Sequence, residues 1–419
     1  MILYFIYLLF SPIIWILLQI SRLFSYKINQ RFNLINYSIN NCVNKINNNK
    51  NKKVLIFHSA SSGEFEQVKP VLKLIDRKKY FIILSFFSPT AYELNHSKIG
   101  CDSIIYHPYD FIWSSIRFFY TINPDLYIIT RHDIWPTHII TASLFKLKIY
   151  LINANYNTKS MRFNVMLKSF NKYIFKNFTK ILTGSERLKL LLSNIFNAKN
   201  IIVTGDSRFD QVIDRKNNKK EYLNSEIYDT KNIIFGSVLL SEIPLIISSI
   251  KKIYSNNDVL KNKKNRIIIV PHEVDDNSCT LIKNKFAEQN LNLEITDLTL
   301  QKKLNEIILI KKVGVLANLY KYADLAYVGG GFKRGVHSVI EPAIHKCYVS
   351  CGPRIELLDE AIEMSNAGLL KIIKNTYDLS KFISILNSNF NLEPLQKKIE
   401  RFVYQRANVS NKIINHILN

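Results

Sequence analysis

From Val54 onward the chain reads as short apolar, β-branched runs, most of them trailed by a stretch long enough for a helix. The first series is Val54 to Phe57, Tyr80 to Ser85, Asp125 to Thr130, Ile149 to Asn153, Lys180 to Thr183 and Ile201 to Thr204. Such alternation predicts a parallel sheet covered on both faces. A turn-rich stretch around Gly205 to Lys220 interrupts it. The pattern resumes with Asn232 to Gly236, Arg266 to Val270, Glu306 to Ile310, Asp324 to Val328 and Cys347 to Cys351. Two series without a visible internal repeat predict an α/β chain of two Rossmann-like lobes facing a central cleft, with ligands beyond the carboxyl ends of the strands. The expected division is 1–21 a membrane-anchor helix, 22–52 a linker and juxtamembrane segment, 53–210 the first lobe and 211–391 the second. Residues 392–419 read as a C-terminal helix able to cross back to the first lobe.

Met1 to Ile20 carries no charged side chain, and at ~1.5 Å per helical residue it reaches about 30 Å, the thickness of a bilayer's hydrocarbon. A cleaved secretory signal would have a basic start and a small-residue cleavage site, and neither is present. Arg22, Lys27 and Arg31 follow the run, so a spanning helix would leave the body in the cytoplasm. The alternative is an interfacial helix lying on the bilayer, in keeping with Pro12 and the short length.

Composition narrows the partners. Apolar residues make up 47% and charged residues 21% of 419, enough to bury real cores and to exclude wholesale disorder. The formal net charge of +24 suits anionic lipid or an acidic substrate. Lys and Asn recur everywhere, as in Asn47 to Lys53, so part of the excess is compositional. No basic stretch carries interleaved aromatics in a recognisable module, and nucleic acid is not an expected partner. Five widely spaced cysteines, an odd number in a chain this long, predict a reducing compartment. Cys347 and Cys351 lack the second pair that a zinc site needs.

Two loops hold candidate chemistry. The first strand ends in His58-Ser59-Ala60-Ser61-Ser62-Gly63-Glu64-Phe65, and Val68, Val71, Leu72 and Ile75 follow at helical spacing. Small side chains at Ser61, Ser62 and Gly63 let backbone N–H groups approach a bound oxygen at a helix N-terminus. A carboxylate in a first turn complements the helix dipole. The other reading of Glu64 is a general base, which requires partial desolvation to restore its basicity. The second loop runs from Gly329 to Ala343 and contains Gly330, Gly331, Lys333, Arg334, Gly335, His337, Ser338 and Glu341. Its glycines permit close approach, its cations attract a phosphate, and a helix expected near His337 would add free N–H groups, with Glu341 a turn further on to meet ribose hydroxyls. It is neither a Walker loop nor the dinucleotide fingerprint. Ser237 to Glu242 and Pro271-His272-Glu273 fall on the same rim, making His272 and His337 nucleotide contacts in preference to metal ligands. Asp275-Asp276 has two readings, a divalent-ion site and a solvated acidic turn, of which the second is the stronger. After the strand ending at Thr130, Asp133 has two readings, an acceptor contact or a salt bridge with Arg131, and Trp135-Pro136 reads as packing.

With these residues in view the chain resembles the Kdo transferases of lipopolysaccharide synthesis along almost its whole length. The order of motifs carries the likeness: the apolar N-terminus, His58 to Glu64, Ser88-Pro89-Thr90, Tyr106-His107-Pro108-Tyr109-Asp110, Trp135-Pro136, Thr204-Gly205-Asp206 through Asp210, and Gly329 to Ala343 followed by Gly352-Pro353. Ser338, Arg131, Arg208 and Pro271-His272-Glu273 depart from the family pattern. The resemblance implies an inverting GT-B glycosyltransferase needing no metal or other cofactor, taking Kdo from CMP-Kdo to a lipid A precursor at the cytoplasmic side of the inner membrane. It places the base at Glu64 and donor contacts at Ser237, His272, Gly330, Gly331, Gly335, His337, Ser338 and Glu341, to which the loop's own charge adds Arg334. It puts the acceptor in the first lobe, where the loop residues Ser61, Ser62, Gly63 and Asp133 are the expected contacts.

Overall fold

The computed structural model describes every residue except 1, 96–99, 157–161, 163, 218–220, 299–304 and 334. It divides into two compact units, one of residues 1–211 with 408–419 and one of residues 212–407.

The first unit runs α1 (Ile2–Ser21), α2 (Tyr26–Asn47), β1 (Lys53–Ser59), α3 (Ser62–Leu72), β2 (Tyr80–Phe86), α4 (Pro89–Asn95), β3 (Ser103–Tyr106) and α5 (Ile112–Ile122). It continues with β4 (Leu126–Thr130), α6 (Pro136–Leu144), β5 (Lys148–Ala154), α7 (Val165–Phe175), β6 (Lys180–Thr183), α8 (Glu186–Phe196), β7 (Ile201–Val203) and the start of α9 (Arg208–Lys216). Its seven strands are all parallel, in the order β3-β2-β1-β4-β5-β6-β7. Ile, Leu, Val and Phe on alternate strand positions feed two hydrophobic cores, one on each face of the sheet. That two-sided burial is why the strands read as continuous apolar runs.

The second unit contains β8 (Lys231–Val238), α10 (Ile243–Ile253), α11 (Asn257–Asn262), β9 (Asn265–Pro271), α12 (Asp276–Ala287), β10 (Glu294–Thr296), β11 (Ile307–Ile310) and α13 (Leu316–Leu319). β12 (Leu325–Val328), α14 (Ile340–Ile344), β13 (Tyr348–Cys351), α15 (Asp359–Asn366), β14 (Leu370–Ile372), α16 (Thr376–Ile383) and α17 (Glu393–Tyr404) complete it. Here too all seven strands are parallel, in the order β10-β11-β9-β8-β12-β13-β14. The order reverses between β1 and β4 in the first sheet and between β8 and β12 in the second, the positions where such sheets open a crevice.

Several expectations are corrected. The segment 22–52 is no linker, because α2 occupies most of it and buries Arg31, Ser38 and Cys42. Leu34, Ile35, Ile39, Val43 and Ile46 pack on the first unit's cores at helical spacing that the intervening asparagines disguise. The helix covers the free edge of the sheet at β3, where Ser38 Oγ accepts the Tyr106 N–H at 3.2 Å, which removes an exposed strand edge. The stretch read as turns, Gly205 to Lys220, holds α9, whose Phe209 and Val212 are buried among charged neighbours. β3, β10 and β14 are three or four residues long, too short to stand out by pattern. The single C-terminal helix is two. α17 buries Ile399, Phe402 and Val403 in the second unit, the chain turns at Asn408 with φ 66°, and α18 (Val409–Leu418) packs into the first unit's core through Val409, Ile413 and Ile417.

The start of α18 is fixed by one carboxylate, since Asp210 accepts the Asn408 N–H and the Ser410 N–H at 2.6 Å each. Asp210→Ala leaves these first-turn donors without their partner, and a loss of about 1–2 kcal/mol is expected. Denaturant unfolding followed separately in the two units should show this loss in the first unit alone.

Candidate active site

In the first unit the loops at the order reversal follow β1 and β4. Ser61 caps α3, its Oγ accepting the Glu64 N–H at 3.3 Å, so Glu64 stands in the first turn with its carboxylate turned back toward the loop. Glu64 Oε2 accepts the Ala60 N–H at 2.7 Å, and the side chain is 6% exposed. Burial pushes its pKa up. The Ala60 N–H pulls the other way, Asp133 adds to the rise, and His58 and Arg131 oppose it. The net effect is the desolvated carboxyl that a base requires. Ser61 and Gly63 are exposed and Ser62 half-buried on the same turn.

Asp133 is engaged by His58, with Nε2 to Oδ2 at 2.8 Å, and by the Trp135 indole N–H at 2.9 Å. Burial alone would raise its pKa, but the His58 hydrogen bond and charge and the indole bring it below the ordinary value. Trp135 is therefore more than packing, although its ring also stacks on Phe87 at 4.7 Å. His58 in turn meets Ser85 Oγ through Nδ1 at 2.9 Å, and Ser85 reaches His107 Nδ1 at 3.3 Å. The rings of His58 and His107 lie 3.9 Å apart, and those of His107 and His138 4.4 Å apart. Burial, reinforced by the neighbouring imidazoles, pushes the His107 pKa far down and keeps it neutral. Of this buried histidine stack only His58 lies in a strand, next to the Glu64 loop, while His107 follows β3 and His138 sits in α6, so no local pattern in the sequence marks the three together. Arg131 adopts φ 63° at the end of β4, and its charge acts on both Glu64 and Asp206. Arg208 holds Asp206 through Nε and Nη2 at 2.9 and 2.8 Å.

In the second unit the corresponding loops follow β8 and β12. The glycine loop is built by close approach. A Cβ on Gly329 would lie 2.3 Å from Ser237 O, and one on Gly331 2.7 Å from Gly352 N. Ser237 itself has φ 55° and is half-buried. Glu242, 2% exposed, organises the turn. Its carboxylate accepts the Gly330 N–H at 3.0 Å, the Leu239 N–H at 2.9 Å and the Tyr327 hydroxyl at 2.9 Å. In the sequence Glu242 is only loop punctuation, and nothing in its spacing marks a carboxylate that braces a loop from a different strand.

The helix expected near His337 starts at Ile340 and has five residues. The preceding amides are used inside the loop, with Gly335 N–H donating to Gly330 O at 3.1 Å and His337 N–H to Gly329 O at 3.2 Å. The His272 and His337 rings stack at 4.8 Å. Burial first, then the neighbouring His272 imidazole, lowers the His337 pKa. Ser241, Pro271, His272, Glu273 and Lys333 help line a cavity of about 300 Å³. Ser338 is half-buried, and Glu341 pairs with Arg215 at 3.2 Å. Arg334 lies outside the described residues. Asp275 caps α12 by accepting the Ser278 N–H at 2.9 Å. Among the described residues no group of three or more His, Cys, Asp and Glu could hold a metal ion.

Residues 27–211 match the family described as 3-Deoxy-D-manno-octulosonic-acid transferase (kdotransferase). The 3-deoxy-D-manno-octulosonic acid transferase of Aquifex aeolicus is 27% identical over 355 residues, covering 83% of this chain and 90% of the relative. That of Rickettsia felis is 24% identical over 363 residues, covering 82% and 73%. Among solved structures, UDP-GlcNAc 2-epimerase from Neisseria meningitidis bound to UDP-GlcNAc superposes with TM-score 0.60 at 15% identity, covering 88% of this chain and 99% of the other. A glycosyltransferase from Rickettsia africae gives 0.58 at 12%, covering 88% and 98%. These structures show the fold alone, which is of the GT-B type.

Glu242→Gln replaces an acceptor of three donors with an amide that must turn its own N–H₂ toward one of them. A destabilisation of about 1–3 kcal/mol is expected. It should appear as a lowered denaturant midpoint of the second unit, with the first unit unchanged.

Proposed function

The chain belongs to the 3-deoxy-D-manno-octulosonic-acid (Kdo) transferase family, and on that premise we propose that it transfers Kdo from CMP-Kdo to the lipid A precursor lipid IVA with inversion. Family membership makes it a glycosyltransferase of lipopolysaccharide biosynthesis. The observation that carries the finer reading is Glu64, a buried carboxyl with a raised pKa at the crevice position of its sheet.

In the proposed step the acceptor hydroxyl gives its proton to the Glu64 carboxylate as its oxygen bonds to the anomeric carbon, opposite the phosphate. The bond from that carbon to the phosphate oxygen breaks, and CMP leaves with the electron pair. A phosphate leaving group needs charge stabilisation more than protonation. Lys333 and Arg334 supply charge, His272 lines the cavity with His337 stacked on it, and the turn of Gly330, Gly331 and Gly335 with Ser237, Ser338 and Glu341 completes the donor side. Ser61, Ser62, Gly63 and Asp133 serve the acceptor. The scheme requires neither metal nor cofactor. The apolar α1, with an 18-residue stretch from Tyr4 to Ser21 fit for a membrane, supports attachment to the inner membrane with the body on the cytoplasmic side, where the glycolipid is met.

Glu64→Gln should reduce transfer from CMP-Kdo to lipid IVA, read by product mass, by about 10²–10⁴-fold while CMP titration is unchanged. Retention of more than a tenth of the activity defeats the reading, and tighter binding of UMP than of CMP points to a different donor.

The base must be ionised, so transfer is expected to rise with pH through an ionisation above the ordinary glutamate value. Asp133→Asn removes a negative charge that raises the Glu64 pKa, and the acid limb of the pH profile should move to lower pH.

A further inference from the structure

We propose that α1 lies flat in the membrane interface and, with an exposed stripe of α5, forms a monotopic surface against a leaflet of anionic phospholipid. The proposal deepens the membrane attachment put forward above and is independent of the transfer chemistry.

A spanning helix carries one of its ends to the far side of the bilayer, about 30 Å from the body. In α1 both ends are held on the first unit. Near the start, Tyr4 is 8% exposed and its ring stacks on Phe170 of α7 at 5.2 Å. Tyr7 donates its hydroxyl to the Asp110 carbonyl at 2.8 Å, Leu8 packs on the core, and Ser11 is 1% exposed. Positions 4, 7, 8 and 11 form one helical face. Near the other end, Arg22 lies over the Phe32 ring at 5.0 Å and donates to Asn33 of α2 at 3.0 Å.

The opposite face is bare and apolar. Phe5, Leu9, Ile13, Ile16, Leu17 and Ile20 are exposed, Leu9 to 74%. A second element carries a matching stripe, since Trp113, Ile116 and Tyr120 of α5 are exposed at positions i, i+3 and i+7, with Arg117 beside them. The end of α1 and the start of α5 meet at a groove of about 360 Å³, lined by Trp15, Gln19 and Arg22 on one side and by Tyr109, Trp113 and Arg117 on the other, among others. Tryptophan and tyrosine mixed with arginine are the side chains of a headgroup boundary, apolar at one end and polar at the other. The arginines at the groove and the exposed Lys27 favour an anionic leaflet over a second copy of this chain, whose net charge is also +24.

The test uses the full chain in vesicles of phosphatidylethanolamine and phosphatidylglycerol, with the half-exposed Cys101 replaced by Ser. Nitroxide labels are placed singly at Phe5→Cys, Ile13→Cys and Ile20→Cys, all exposed positions that the fold does not need. Power-saturation depths should agree within a few ångströms, about 5–10 Å below the phosphates. A profile deepest at Ile13 and shallow at both ends would mean that the helix spans, and overturns the proposal. Labels that stay in water, or that become protected without vesicles through self-association, overturn it as well. Transfer activity plays no part in this readout, so its loss or survival leaves the depth result standing.

Discussion

A parallel sheet covered by helices on both faces can present polar groups to a ligand at one place, the ends of its strands. Every residue of β4, β9, β11 and β12 is buried, so chemistry in this chain is confined to the loops beyond them. In the first unit the order reversal brings together the loops after β1 and β4, with Glu64 on one and Asp133 on the other. In the second it brings together those after β8 and β12, with Glu242 on one and the glycine turn on the other. The sheet topology thus selects the candidate residues before any question of their reactivity arises.

Glu64 and Glu242 occupy comparable places, each following the first strand of its sheet, and their surroundings separate their roles. The Glu242 carboxylate is surrounded by two backbone N–H groups and a tyrosine hydroxyl. Three donors of this kind fix a carboxylate and leave it little capacity to accept anything further. Glu64 has the Ala60 N–H on one oxygen, and its desolvation outweighs that donor. The first arrangement braces a loop, whereas the second leaves a carboxyl whose protonation can change. The His58 to Asp133 hydrogen bond belongs to the second arrangement, because it holds a negative charge near Glu64 in a defined direction.

The two parallel sheets and the GT-B architecture were legible because two-sided burial writes itself as unbroken apolar runs, as in Ile267 to Ile269. The helix α2 was not, because half of its positions are Asn or other polar residues and its buried stripe is read only once the β3 edge it covers is known. α9 was hidden for the same reason, with Arg and Asp around Phe209 and Val212. At the candidate site, the loop positions of Glu64 and the glycine turn could be read from residue types and order. The use of Gly330 N–H by Glu242, the seat of Asp133 on His58 and the pairing of Glu341 with Arg215 could not. Each joins residues from 75 to 126 positions apart, and local pattern carries no information at that range.

The orientation of α1 turns on a small difference between large terms. Lying flat, the helix still places Phe5, Leu9, Ile13, Leu17 and Ile20 in the acyl boundary, so most of the apolar gain of a spanning helix is retained. What spanning would add is the burial of the opposite face, which carries Tyr4, Tyr7 and Ser11. On insertion scales an apolar residue at the bilayer centre gains only about 0.3–0.6 kcal/mol, while polar groups there lose their protein partners. Against this, undocking strips Tyr4 from Phe170 and Tyr7 from the Asp110 carbonyl. An aromatic pair of this kind is worth about 0.5–1.5 kcal/mol beyond its area, and a hydrogen bond about 1 kcal/mol. The docked face decides the balance because the exposed face is nearly indifferent to it. In the proposed arrangement, a helix long enough to cross a bilayer is held to one leaflet by two tyrosines that hydropathy alone counts as ordinary members of an apolar run.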